Sequence, residues 1–238
     1  MSADVTASMA ALAASTDSLQ RSIGTLTDDQ VQGPSLLPGW SRGHVLTHVA
    51  RNADAMVNLA TWARTGVETP MYPSREHRDT TIAVQSGRPA AELVSDVDAS
   101  HCRLVQTLDE LKPEHWQAPL SWGAQDRDTR AWLIPALRRT EVEVHHVDLD
   151  LDYTPAHWPE EFVEALLGEV ANELTARGDG LACVLVGNDD EGRWQIGAGG
   201  PEINGPPPAL LGWLLGRTDG TGVHASDGAP LPEPGRWR

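Results

Sequence analysis

The hydrophobic pattern of the chain changes character once, after "DYTPAHWPEE" near residue 153, and that break limits the architecture more than any other feature. Ahead of it lie long stretches with apolar residues at helical spacing. The first is "SADVTASMAALAASTDSLQRSIGTL". The second begins at Ser41, a good N-cap, and ends at Gly66, a C-terminal stop. The third is "RPAAELVSDVDASHCRLVQTLDEL", with Pro89 near a first helical position and Lys112-Pro113 beyond its end. The fourth follows the loop "HWQAPLSWGAQDRDTR", with Pro135 marking either its start or a kink. Four long helices predict a helix bundle, in which sites are built from side chains on facing helices.

Beyond the break, one helix, "PEEFVEALLGEVANELTARG", precedes the strand-like runs "LACVLVG", "GRWQIGA" and "GTGVHAS". A further helix is expected in "PPPALLGWLLGR". "GAGGPEINGPPP" is expected to be a loop whose prolines remove the amides that would cradle phosphate. The tail "PLPEPGRWR" is expected to pack as an extended strap. The fold class is therefore α+β, a four-helix bundle over 1–153 followed by a small α+β domain over 154–238.

Composition removes several kinds of partner. A net charge of −16 over 238 residues argues against nucleic acid, which needs a basic face. It also means that an anionic substrate must be received by a few local arginines. No run of about 18 apolar residues is present, so no membrane span is expected, and the N-terminus does not read as a signal peptide. Cys102 and Cys183 are isolated, which suits a reducing cytoplasm and a role as core filler.

The chemistry concentrates in "RRTEVEVHHVDLDL", residues 138–151. At about 100° per residue, His145 lies roughly 40° from Glu141 on one side and Asp148 roughly 20° on the other. Leu137 and Val144 flank them. Arg139, Glu143, His146 and Asp150 gather on the opposite side without an apolar member, and that face is expected to be solvated. A buried Glu141 needs compensation. A divalent metal shared with His145 at i+4, a Glu–His hydrogen bond and a Glu–Arg pair all remain open. On the second helix, His48 stands at the edge of the apolar arc and completes a set of two histidines and one carboxylate. Three protein ligands and an open position characterise catalytic zinc. His44, one turn earlier, is the rival ligand, but its place three residues after Ser41 suits ordering of the helix start. Asp148 is either an outer acceptor that orients a ligand histidine or a solvent-linked charge.

"GPSLLPGWSRGHVLTHVARNADA", "WARTGVETPMYPS" and "TEVEVHHVDLDL", followed by "LLGWLLGRTDGTGV" and the closing "PEPGRW", resemble the mycothiol-dependent maleylpyruvate isomerase family, within the DinB-like four-helix metalloproteins. The likeness touches nearly the whole chain. It implies a DinB-like bundle holding zinc through His48, Glu141 and His145, and an activity-linked arginine in the C-terminal domain, which Arg217 matches. It implies mycothiol as the thiol cosubstrate and conversion of maleylpyruvate to fumarylpyruvate. The chain offers no cysteine beside the metal stripe, so an external thiol is the expected nucleophile, its thiolate adding reversibly to the double bond. Arg217 suits a substrate carboxylate; the alternative is that it holds the two domains together. Arg78 and Tyr72, on the loop after the second helix, are further candidates for lining the entrance. A mycothiol S-transferase on the same scaffold is the alternative activity, and a non-catalytic metal- or thiol-binding module is the alternative class. The expected partners are a small anion and a low-molecular-weight thiol, met by a cytoplasmic monomer.

Overall fold

The computed structural model describes residues 3–121, 129–178, 180–188, 192–235 and 237. Residues 122–128, in the loop expected before the fourth long helix, lie outside the described residues. Contacts separate two compact units, residues 1–152 and 153–238. The first is helical and the second is a small α+β unit.

In the first unit the long helices are α1 (Ala3–Ile23), α3 (Arg42–Thr65), α5 (Ala90–Asp109) and α6 (Ile134–Asp148), joined by the short α2 (Asp28–Gln32) and α4 (Arg75–Gln85). Helix α3 packs on α5 and α6, and α1 packs on α6. Local chemistry fixes the ends. The Ser41 hydroxyl accepts from the His44 amide, while the His44 ring accepts from the Ser41 amide, a reciprocal cap. Gly66 stops the helix in the left-handed conformation at φ 71°. Pro135 sits in the first turn of α6, so it starts the helix rather than kinking it.

Two apolar clusters fill this unit. One joins Leu12, Leu19 and Ile23 of α1 to Val45, Leu46 and Val49 of α3, and to Val142 and Leu149. The other joins Met56, Leu59 and Ala60 to Leu104, Leu108, Trp116 and Ile134. Gly43 lets the start of α3 approach the end of α4, because a Cβ there would collide with the Ser86 carbonyl.

Helix α4 corrects the expectation that Tyr72 and Arg78 share a loop: Tyr72 precedes the helix and Arg78 lies on its first turn. Ser74 caps it by accepting from the His77 amide. Its interior buries Ile82 alone, so it carries little of the apolar spacing that announces a helix.

In the second unit, α7 (Glu160–Arg177) precedes β3 (Cys183–Gly187), β4 (Arg193–Ile196), β5 (Glu202–Gly205), α8 (Pro207–Leu214) and β6 (His224–Ala225). A two-stranded ladder, β1 (Pro119–Leu120) with β2 (Thr129–Arg130), belongs to the first unit. The larger sheet runs β4-β3-β5-β6, with β3 and β5 parallel and the other pairs antiparallel. Helix α7 packs on β4 and α8, and α8 packs on β3 and β5. Strand β5 overturns the loop expected at "GAGGPEINGPPP". Pro201 and Pro206 bracket the strand without interrupting it, so its amides stay available to the ladder. Of "GTGVHAS", only His224 and Ala225 pair.

Candidate metal centre

Helices α3 and α6 face each other and bring three donor atoms together. His48 Nε2 lies 3.0 Å from Glu141 Oε2 and 2.9 Å from His145 Nε2. His145 Nε2 lies 3.4 Å from the same Glu141 oxygen. Ligands about 2.0–2.1 Å from a tetrahedral zinc stand roughly 3.4 Å apart, so the trio forms a slightly contracted cage. Among the described residues this is the one such group of three or more His, Cys, Asp or Glu side chains. The His48 side chain keeps 6% exposure and Glu141 27%, so the cage is closed on the α3 side and open beside the carboxylate. The Trp40 ring stands edge-on to His48, 5.8 Å between centroids, as part of the closed wall.

Asp148 extends the cluster along α6. It is fully buried, and its Oδ2 lies 2.7 Å from His145 Nδ1. That contact holds a proton on Nδ1, so Nε2 is the nitrogen that a metal would take. The solvent-linked alternative for Asp148 therefore falls away. His44 is engaged elsewhere, with Nδ1 on Ser41 and Nε2 3.2 Å from the Ser86 hydroxyl.

The opposite face of α6 corrects the solvated-face expectation. Glu143 and His146 are buried. Ser15 donates to Glu143 Oε1 at 2.5 Å, Arg139 Nε donates to the Ser15 hydroxyl, and His146 Nε2 lies 2.8 Å from the Ser22 hydroxyl. Helix α1 covers that side and supplies polar partners, so a face without apolar residues need not meet water. Only Asp150 of the expected group is exposed.

Arg138 is a further residue that the helical angles point to. It lies about 60° round the helix from Glu141 and is wholly buried. Its Nη1 donates to the Val49 carbonyl and to Asn52 Oδ1, tying α6 to the turn of α3 that carries His48. Burial pulls its pKa down to about 10, with the Glu141 charge acting against the fall.

The electrostatics of the metal-free cage are asymmetric. Burial opposes a charge on His145, but Asp148 and Glu141 outweigh it and hold the imidazole at about 9. Burial and the neighbouring His145 push His48 down to about 4. Burial also opposes ionisation of Glu141, yet its bonds to His145 and His48 keep the carboxyl well below its usual range. Near neutrality a metal must therefore displace one proton, from His145. Apparent zinc affinity should rise about tenfold per pH unit from about pH 6 toward 9 and then level off, as competition titrations with a chromophoric chelator would read. Without metal the sign is opposite. A raised folded-state pKa stabilises fully below the ordinary value of 6.5 and is lost as pH climbs through about 9. In the same titration Asp148→Asn should weaken zinc binding by roughly 10–100-fold, the usual cost of losing an outer partner.

Neither cysteine joins the cage: Cys102 is exposed on α5, and Cys183 is buried in β3 with its thiol pushed up to about 11. Arg217 lies in the second unit, just past α8. Gly216 at φ 68° turns the chain there, Arg217 Nη1 donates to the Leu215 carbonyl at 2.6 Å, and the guanidinium lies 5.9 Å from the Trp237 ring centroid.

Residues 12–150 match the model of the "Mycothiol maleylpyruvate isomerase N-terminal domain", and residues 157–234 match that of the "MDMPI C-terminal domain". The chain belongs to the mycothiol-dependent maleylpyruvate isomerase family. Its fold is similar to the crystal structure of the mycothiol-dependent maleylpyruvate isomerase, with a TM-score of 0.92, 30% identity and full coverage of both chains. A structure of a histidine-to-alanine variant of that enzyme matches equally well. No curated protein sequence matches the chain. Among the described residues, no helix is long and apolar enough to cross a membrane.

Proposed function

We propose that the chain is a zinc- and mycothiol-dependent isomerase that converts maleylpyruvate to fumarylpyruvate. The observation that carries the proposal is the cage itself: two imidazole nitrogens and one carboxylate oxygen within 3.4 Å of one another, open on one side. The fourth position suits a small ligand. Bound zinc supplies a Lewis acid that lowers the pKa of a thiol at that position.

The chain's own residues do the rest. His48, Glu141 and His145 hold the metal, and Asp148 fixes the His145 tautomer. Arg217 receives a substrate carboxylate through its planar fork. The thiolate sulfur adds to the alkene carbon that bears a carboxylate, and the π electrons pass to the conjugated ketone oxygen. The former double bond, now single, rotates. The enolate then collapses, the trans double bond forms and the thiolate leaves unchanged. No net proton or electron is exchanged, so thiol is needed only in catalytic amount.

The test is maleylpyruvate in large excess over mycothiol, with zinc-loaded protein. Fumarylpyruvate should accumulate over many turnovers per thiol, with free thiol undiminished at the end. Thiol consumed in proportion to product would make the protein an S-transferase and overturn the proposal.

A further inference from the structure

A cavity of about 150 Å³ is lined on α3 by Arg51, Asp54 and Asn58 and on the other side by Tyr72, His77 and Arg78, and Arg78 links it to the cage through His48. At about 30 Å³ per water it has room for roughly five waters, too little for a drug-sized ligand and enough for the carboxylate end of a small acid. Arg51 is spoken for by Asp54 and Asp96, Asp54 also by Arg103, and Asn58 by the Pro70 and Met71 carbonyls.

Arg78 is placed differently. Its Nη2 lies 3.3 Å from His48 Nδ1 and its Nη1 donates to Asp79 Oδ1 at 2.7 Å on the half-exposed side. A guanidinium has only donors. A His48 that binds metal through Nε2 carries its remaining proton on Nδ1 and has no lone pair to offer there. In the loaded protein the contact would set N–H against N–H, so Arg78 Nη2 is left to seek another acceptor. The Tyr72 hydroxyl, a second donor on the same wall, is buried without a partner of hydrogen-bonding geometry, and the Arg78 guanidinium lies 5.9 Å from the Tyr72 ring centroid.

Resting on the proposed isomerase function, we infer that Arg78 and Tyr72 form the subsite for the substrate carboxylate next to the attacked carbon. A thiolate at the cage must reach that carbon, and its carboxylate then lies within the neighbourhood of the cage where Arg78 stands. The guanidinium takes the two oxygens in parallel, and the phenol donates to one of them. The subsite also explains how a chain of net charge −16 receives a dianion. Divalent metal, Arg78 and Arg138 outnumber the charges of Glu141, Asp148 and Asp79 locally.

The experiment is calorimetric binding of maleate, with no thiol present, to zinc-loaded parent, Arg78→Ala, Arg78→Lys and Tyr72→Phe proteins. Zinc stoichiometry and circular dichroism accompany each titration. Arg78→Ala should keep its zinc and fold yet bind maleate at least tenfold more weakly. Arg78→Lys should recover part of that loss, because lysine restores charge but not the fork. Tyr72→Phe should weaken binding severalfold. Maleate binding to Arg78→Ala within twofold of the parent would overturn the subsite, as would no binding to the parent. Loss of zinc by both Arg78 variants would assign the residue to the metal cradle and likewise overturn it. A protein that binds maleate through Arg78 but forms no fumarylpyruvate would keep the subsite and refute the isomerase, so the two claims fail separately.

Discussion

Replacing His48 by alanine should leave the protein folded but without retained metal, and thiol-dependent turnover should disappear with it. His48 supplies the only cage donor from α3; the other two come from one face of α6. Without it, Glu141 and His145 form a two-donor site on a single helix, and the contribution of a second rigid element is lost. The expected fall in zinc affinity exceeds the roughly 10–100-fold that follows loss of an outer partner. Metal analysis after dialysis, beside a thiol-dependent assay, reads both effects. Full zinc occupancy in His48→Ala would mean that the donor set is wrong. The substitution opens a cavity beside Trp40, so thermal melting of the metal-free forms separates lost packing from lost metal.

Arg217→Ala should behave in the opposite way. Zinc content and circular dichroism should match the parent, because Arg217 is no part of the cage. Turnover should fall by about a hundredfold, the scale of losing one preorganised charged contact to a reacting group. Steady-state kinetics with maleylpyruvate would show whether the loss lies in kcat, in KM or in both. Unchanged kinetics would leave Arg217 with its Leu215 and Trp237 contacts as a structural residue.

Much of the bundle was legible because its signals are local. Ser41, Gly66 and Pro135 each set a helix end through its own backbone chemistry. The angles along α6 likewise placed Glu141, His145 and Asp148 on one face, where they do meet. What escaped depends on what lies across from a residue. Glu143 and His146 read as solvated because their face has no apolar member, yet Ser15 and Ser22 of α1 pair with them in the interior. A periodicity argument cannot see a partner more than a hundred residues away. Helix α4 escaped because its stability comes from a cap and from docking of Ile82, and β5 because its flanking prolines look like breakers. Arg138 could have been found from its i, i+3 relation to Glu141. The proximity of Arg78 to His48 could not, since it depends on α4 being a helix at all.

The proposed chemistry requires a thiol to reach a metal held by His48, Glu141 and His145, and cobalt(II) substitution reads that event in the spectrum. Adding mycothiol to the cobalt-loaded protein should produce an intense thiolate-to-metal charge-transfer absorption that a strong chelator removes. A cobalt spectrum that mycothiol leaves unchanged, in protein shown to hold one metal ion, would contradict thiolate activation at this site.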